Sequence, residues 1–505
     1  MKNYTNKYFD ISKPVFIPSA IITFVFVILT IVFNDQAESV FSNFQSYMSK
    51  NLGWFINIAI NYFLFFVLFL AFSKYGKIKI GGADAKPDFN RFSWIAMLFS
   101  AGMGIGLVYF SVAEPMLNYS NPIEAGLTDI DKSKLAMKHT FFHYGFHVWG
   151  IYTLLGIALA YFTFNKNAPL SIKSTLKPLF GKYMSTGLGS AIDVVAVLAT
   201  LFGLATTLGF GAIQLTTGIS EISGISNSVN LQILSIAGIT IIATVSILSG
   251  LNKGLKYLSN LNIVLAGILF VFVLLIGSTV LLFDGFVESF GLYISDFFEM
   301  STYRNQYGDK GKWFKGWSMF YWVWWISWSP FVGTFIARIS KGRTLKEIAI
   351  YGLLIPSLFS MLWMSVLGGT ALDMQLNGTA DLAQIVTDDS SMGLFKMLEN
   401  LPYYKITAVL SIFLVATFFI TSSDSGSLVV DFITSGGKLN APCGQKVFWA
   451  FMEGVIAIAL LIGGGLTALQ SASISTGFPF AIILIFVSLS LLKSLRKDHQ
   501  LKNDK

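Results

Sequence analysis

Twelve stretches of mostly apolar residues recur along this chain, at 15–33, 52–73, 92–118, 140–164, 189–216, 231–250, 258–283, 317–337, 347–370, 406–430, 447–467 and 470–492. Hydrocarbon offers no water to bond a bare backbone. A stretch of about twenty apolar residues there has one workable conformation, a helix that crosses the bilayer. The pattern predicts an all-α polytopic membrane protein with twelve transmembrane helices. Only 12% of the 505 residues are charged, against about 25% in a soluble domain. The segment 285–303 sets acids between apolar residues at helical spacing, which predicts an amphipathic helix lying at the interface.

Lys and Arg set the orientation. With a cytoplasmic N-terminus, inside segments hold 25 of the 35 and outside segments hold 10. Both termini are therefore expected in the cytoplasm, and the net charge of +8 reflects topology, not a nucleic-acid partner. No small-residue cleavage pattern follows the polar N-terminal stretch, so the first span is expected to remain. The single cysteine, Cys443, excludes an intramolecular disulfide framework. The chain carries no Walker-type loop and no nucleophile elbow.

Five of the eleven tryptophans fall within GWSMFYWVWWISWSPFVG, in the eighth span. Interfacial belts place one or two Trp at a span's end, so five in three turns need another reason. An indole face holds a cation without a counter-charge, which points to a box for an organic cation. Trp317, Tyr321, Trp324, Trp328 and Phe331 share one helical face. Trp325 lies beside it, and Trp322 points away, toward lipid. In the fourth span Tyr144, Trp149 and Tyr152 offer further walls.

The third span contains AGMGIG. Gly102, Gly104 and Gly106 in five residues should loosen the helix, and the freed carbonyls could take a sodium ion. Close helix packing of the small-xxx-small kind is the alternative. The eighth span has its own breaker, Ser329-Pro330. Interrupted helices at matching positions of two halves mark a transporter's central site, which makes spans 3–7 and 8–12 two inverted five-helix repeats. The chain then divides into 1–91, an N-tail with two extra spans; 92–283, the first repeat; 284–316, the interfacial helix and loop; 317–492, the second repeat; and 493–505, a short basic tail.

In the tenth span Thr421, Ser422, Ser423, Ser425 and Ser427 surround Asp424. Hydroxyls of this kind suit a hard cation or serve as interhelical hydrogen-bonding glue. Thr200, Thr206 and Thr207 of the fifth span mark either a second cation position or packing beside Gly203, Gly209 and Gly211. His139, His143 and His147 lie at i, i+4 and i+8. A metal-dependent membrane enzyme built on them is a rival reading, although they lack an acidic ligand beside them. The basic run ARISKGRTLKE after the eighth span is expected to anchor topology with lipid contacts.

Together, AGMGIGLVYFSVAEP, HYGFHVWGIY, FYWVWWISWSPFVGTFIARISKGRT and FFITSSDSGS resemble the betaine/carnitine/choline transporter family, from the first span to the twelfth. The resemblance implies a LeuT-type inverted-repeat core of spans 3–12 behind two N-terminal helices, often assembled as a homotrimer in a bacterial-type cell (plasma) membrane. It implies no cofactor and no enzymatic activity. The implied activity is secondary symport of a quaternary ammonium compatible solute, glycine betaine, with sodium as coupling ion, by alternating access, in osmoprotection. Choline or carnitine is the alternative substrate. By motif position the box walls are Tyr144, Trp149, Tyr152 and Trp325, with Trp324 and Trp328 lining the path. The family's usual first wall is tryptophan, where this chain has Tyr144. Sodium would be held by backbone carbonyls at Ser100, Met103 and Phe418 and hydroxyls of Thr421 and Ser422. A second sodium would involve Phe331 and Thr200, although one turn on the chain has Leu204. Choline-type members typically carry aspartate where this chain has Gly106, which predicts a preference for the zwitterion.

Overall fold

The computed structural model describes residues 3–102, 104–249, 254–302, 312–438 and 441–503. Apart from a small antiparallel hairpin, Tyr4–Thr5 with Asp10–Ile11, its named elements are helical. Among the described residues, ten helices are long and apolar enough to cross a membrane. The chain is therefore an all-α polytopic membrane protein. The two remaining apolar stretches are spans three and eight. Span three is divided into Arg91–Gly102 and Ile105–Ser120. Span eight is the helix Lys312–Ile339, whose Trp, Tyr and Ser content lowers its hydropathy.

Burial separates centre from rim. In Asp129–Asn165, which contains span four, 94% of the most apolar stretch is buried within the protein. The figure is 22% for Tyr257–Ile276 and 33% for Lys13–Val32. The outer helices thus turn apolar side chains such as Ile21, Ile28 and Val264 outward, as a helix facing lipid must. Span four packs on span eight at contact distance because glycines remove the intervening side chains. A Cβ on Gly156 would stand 2.6 Å from Ile336 Cγ2, and one on Gly333 would stand 2.9 Å from Leu155 Cβ.

The two interruptions expected from sequence have opposite outcomes. Span three is broken at its glycines: Gly104 is extended, with φ −170° and ψ 178°, and the helix resumes at Ile105. Span eight is not broken. Pro330 lies inside the continuous helix Lys312–Ile339. Proline removes the N–H that would reach the carbonyl four residues back, here that of Ile326. The Ser329 hydroxyl donates to that same carbonyl at 2.6 Å, so the helix keeps its bond count without the proline nitrogen.

Three other expectations change. Span four is interrupted at Gly145, between Asp129–Tyr144 and Phe146–Ala160. A Cβ there would lie 2.5 Å from both Met361 Cε and the Phe141 carbonyl. Span seven ends at Ile276, and residues from Thr279 begin the next helix, Thr279–Ser295, tied to span four through Lys134–Glu288 and Lys138–Asp296. In the basic run, Arg343 is buried, donates to the Phe89 carbonyl at 2.7 Å and covers the Trp94 ring. That arginine is an internal corner of the fold and does not meet lipid.

The N-terminal hairpin docks on the end of span ten, Tyr404–Thr434. Asn3 Nδ2 donates to the Ser435 carbonyl (2.7 Å), the Ser12 amide to the Thr434 carbonyl (2.8 Å), and Lys438 pairs with Asp10 at 2.6 Å.

Candidate functional site

Two cavities meet at Trp328. The smaller, of about 40 Å³, gathers aromatic rings. Tyr144, Trp149 and Tyr152 reach it from span four, and Trp324, Trp325 and Trp328 from span eight. Gly104 and Gly106 close it from the broken third span. The residues that the family resemblance implies for the box line this one space, whereas Trp317, Tyr321 and Phe331, grouped with them by helical spacing, do not line it among the described residues.

The rings are ordered by the backbone beneath them. The interruption at Gly145 lies just beyond the His143 carbonyl. Trp325 Nε1 donates to that carbonyl at 3.1 Å, which fixes the indole. Trp324 stacks on Trp325 with centroids 4.6 Å apart and 14° between planes. Tyr144 meets Trp325 edge-on at 5.6 Å, and Trp149 meets Tyr152 at 5.3 Å. Gly106 has a steric role: a Cβ there would come within 2.9 Å of Trp324 Cη2. Three donors on these wall residues, Trp324 Nε1, Trp328 Nε1 and Tyr152 Oη, are buried without a hydrogen-bond partner among the described residues.

Behind the box lies Glu114, in the second half of span three. It is fully buried in Ile105–Ser120. Asn118 Nδ2 (2.9 Å) and His143 Nδ1 (2.6 Å) face its Oε1, while Trp317 Nε1 and Tyr321 Oη donate to Oε2 at 2.8 Å each. A carboxylate has about four lone-pair positions, and all are taken. Asn118 stands one turn along the same helix, a legible pairing. The other three partners come from sequence-distant spans, which no local pattern announces.

The larger cavity, about 410 Å³, has hydroxyl-bearing and aromatic walls. Ser100, Phe418, Thr421 and Ser422 all line it, as does Phe331. Met103 lies outside the described residues. Thr421 Oγ1 donates to the carbonyls of Thr417 (3.0 Å) and Phe418 (3.2 Å) and accepts from Asn262 Nδ2 at 2.9 Å. Thr200 joins neither cavity's walls among the described residues; its hydroxyl donates to the Ala196 carbonyl at 2.8 Å. The structure thus does not bring Thr200 and Phe331 into one cavity, because the threonine is turned along its own helix.

The remaining polar motifs divide. Ser425 lines the larger cavity, but Ser423 donates to Glu453 at 3.2 Å and Ser427 to the carbonyl of Asp424 at 3.0 Å. Asp424 itself accepts from Ser246 at 2.6 Å. Ser423 and Asp424 join span ten to its neighbours, Ser427 bonds within its own helix, and the groups do not form one cage. Thr206 reaches the Leu469 carbonyl (2.6 Å) and Ser473 (2.7 Å), an interhelical tie, while Thr207 lines the aromatic cavity. The histidines part company: His143 meets Glu114 and Ser318, whereas His147 meets Asn61 and Ser301. No group of three or more potential metal ligands occurs among the described residues. Trp322 does not face lipid; it is buried against Phe142, His143 and His147.

A helical membrane protein with two cavities that share Trp328, one lined by aromatic rings and the other partly by hydroxyls, has the build of a small-solute transporter. The chain matches the betaine/carnitine/choline family transporter model over residues 14–500 and belongs to that family. It is 42% identical to a glycine betaine/proline/choline transporter of Vibrio parahaemolyticus, covering 97% of this chain and 91% of the relative. It is 44% identical to a glycine betaine/proline/choline/ectoine transporter of the same organism, covering 97% and 88%. It is also 42% identical to the glycine betaine transporter OpuD of Bacillus subtilis, covering 95% and 93%. The chain is a multi-pass membrane transporter and not an enzyme, so the histidine-based metalloenzyme reading falls.

Proposed function

We propose that this chain imports glycine betaine by sodium-coupled symport. The observation that carries the reading is the chemistry of the aromatic cavity. Its ring faces suit a cation that cannot donate a hydrogen bond, such as a trimethylammonium group. Its three unpartnered donors suit an acceptor at the other end of the same solute. A zwitterion with a carboxylate satisfies both. Choline or carnitine would use the rings, and choline would bring net charge into a buried space. The names of the relatives add support, since each of the three includes glycine betaine.

At about 40 Å³ the aromatic cavity is too small for a trimethylammonium head, so its walls part to admit one. The larger cavity has Arg338 and Phe89 in its lining, close to the basic run assigned to the cytoplasm. With both termini cytoplasmic, it is the inward vestibule of an alternating-access cycle. In that cycle a LeuT-type core of spans 3–7 and 8–12 rocks around the break in span three. Sodium bound by Ser100, Thr421 and Ser422, with carbonyls near the glycines, holds the broken segment in the form that completes the box. Coupling follows when ion and solute favour the same conformation.

Radiolabelled glycine betaine uptake into proteoliposomes tests this, with sodium and proton gradients imposed separately and with choline and carnitine as competitors. Uptake that follows an inward sodium gradient and is blocked best by glycine betaine is expected. Equal uptake with potassium in place of sodium refutes the coupling, and stronger block by choline refutes the substrate.

A further inference from the structure

Tyr144, the box wall at which this chain departs from the tryptophan of its relatives by resemblance, is connected to the buried carboxylate. Its Oη lies 3.2 Å from Tyr321 Oη and 3.3 Å from the Gly106 carbonyl. Tyr321 Oη in turn donates to Glu114 Oε2 at 2.8 Å. With the Tyr321 proton committed to the carboxylate, Tyr321 accepts from Tyr144, and the single Tyr144 proton is shared between Tyr321 and Gly106. The result is a directional relay, Tyr144 to Tyr321 to Glu114, that joins spans three, four and eight. All three residues are buried. The Tyr321 ring is further held by stacking on His143 at 4.7 Å and by edge contacts with Trp317 and Phe110. Glu114 accepts from four sides, so it has little freedom to move.

We infer that Tyr321 and Glu114 are positioning residues for the substrate box: they hold the Tyr144 ring in place through a hydroxyl that a tryptophan wall would lack. A tryptophan is large enough to be set by packing alone. A tyrosine at the same place leaves its ring angle to its hydroxyl contacts. This rests on the reading of the aromatic cavity as a quaternary ammonium site. Neither positioning residue lines the cavity among the described residues; the Tyr321 ring also touches Trp324 and Trp325, so it is the effect of the Tyr321 hydroxyl that reaches the solute through Tyr144.

The test is a double-mutant cycle on uptake. Tyr321→Phe removes one hydroxyl and keeps the ring. The expected result is a rise in glycine betaine KM of about fivefold to tenfold, the size of one net hydrogen bond, with maximal rate and sodium half-saturation unchanged. Tyr144→Trp should cancel the dependence, so that Tyr321→Phe in that background moves KM by less than about twofold. Where Tyr144→Trp does not yield folded protein, Tyr144→Phe serves: adding Tyr321→Phe to it should again change little. Independent, multiplicative effects of the two substitutions overturn the relay, as does a shift in sodium dependence equal to the shift in KM. A wild type that transports no quaternary ammonium solute refutes the functional reading instead. A wild type that transports glycine betaine and is indifferent to Tyr321→Phe refutes only this inference.

Discussion

The aromatic cavity measures about 40 Å³ and the hydroxyl-lined one about 410 Å³, although they meet at the same residue, Trp328. The first is made of rings whose positions are fixed from behind, by the His143 carbonyl under Trp325 and by Glu114 through Tyr321. The second is lined along one face of Tyr404–Thr434, at positions 418, 421, 422, 425, 428, 429 and 432, where the hydroxyls of Thr421, Ser422 and Ser425 sit among larger apolar side chains. A cation–π box must be preorganised, since each ring contributes only when its face is aimed. An alkali ion needs oxygens that can close around it. Under the proposed function, rings fixed from behind on one side and adaptable hydroxyls on the other would serve those two ligands.

The largest expected effect tests the rigid side at its root. Glu114→Ala strips the acceptor from Trp317, Tyr321, Asn118 and His143, and each buried donor left bare costs about 1–3 kcal/mol. Folded yield and thermal stability in detergent should both fall sharply, as read by size-exclusion profile and melting temperature; a normal melting curve would show that the aromatic side does not depend on this hub. Next comes Trp325→Leu, which keeps bulk but removes the π face. A desolvated cation–π contact is worth about 2 kcal/mol, so apparent affinity for glycine betaine should drop more than tenfold, while half-saturation for sodium stays put. Unchanged affinity would mean the cation sits elsewhere.

The adaptable side should respond in the opposite variable. Thr421→Ala and Ser422→Ala should each raise the sodium concentration for half-maximal uptake about threefold to tenfold, in line with the loss of one modest polar contact. The solute KM at saturating sodium should move less. If KM moves more than sodium dependence, the two cavities are not divided by ligand as described. The smallest effect belongs to neither cavity. Ser329→Ala removes the hydroxyl that replaces the proline nitrogen, exposing the Ile326 carbonyl, so stability should fall by about 1 kcal/mol with substrate KM unaltered. A change in KM would show that the proline region hinges after all.

What could be read in advance follows how local each cause is. The helical spans are legible because hydrocarbon imposes the same demand on every stretch. The break in span three is legible because three glycines weaken a helix from within. The intact span eight is not: Pro330 advertises a break, and its compensation is one serine hydroxyl whose direction depends on a rotamer. The kink at Gly145 had a signal, a glycine in the run HYGF, but nothing distinguished it from Gly150 or Gly156, which only admit a neighbouring helix. Family resemblance picked out the rings that line the aromatic cavity, but helical spacing alone grouped them with Trp317, Tyr321 and Phe331; Glu114 needed the assembled structure, since its donors at 143, 317 and 321 lie far along the chain.

The hairpin at the start of the chain carries a consequence for biosynthesis. Asn3 bonds the carbonyl of a residue 432 positions later, and Asp10 reaches Lys438 across 428. These contacts cannot exist until the ribosome has made the whole of span ten. The hairpin therefore waits for this partner through the insertion of nine earlier spans, and its docking reports that the helix carrying Thr421 and Ser422 has reached its final depth. A fluorophore placed near residue 4 would register that late event, a clock for membrane assembly built from two segments far apart in the chain.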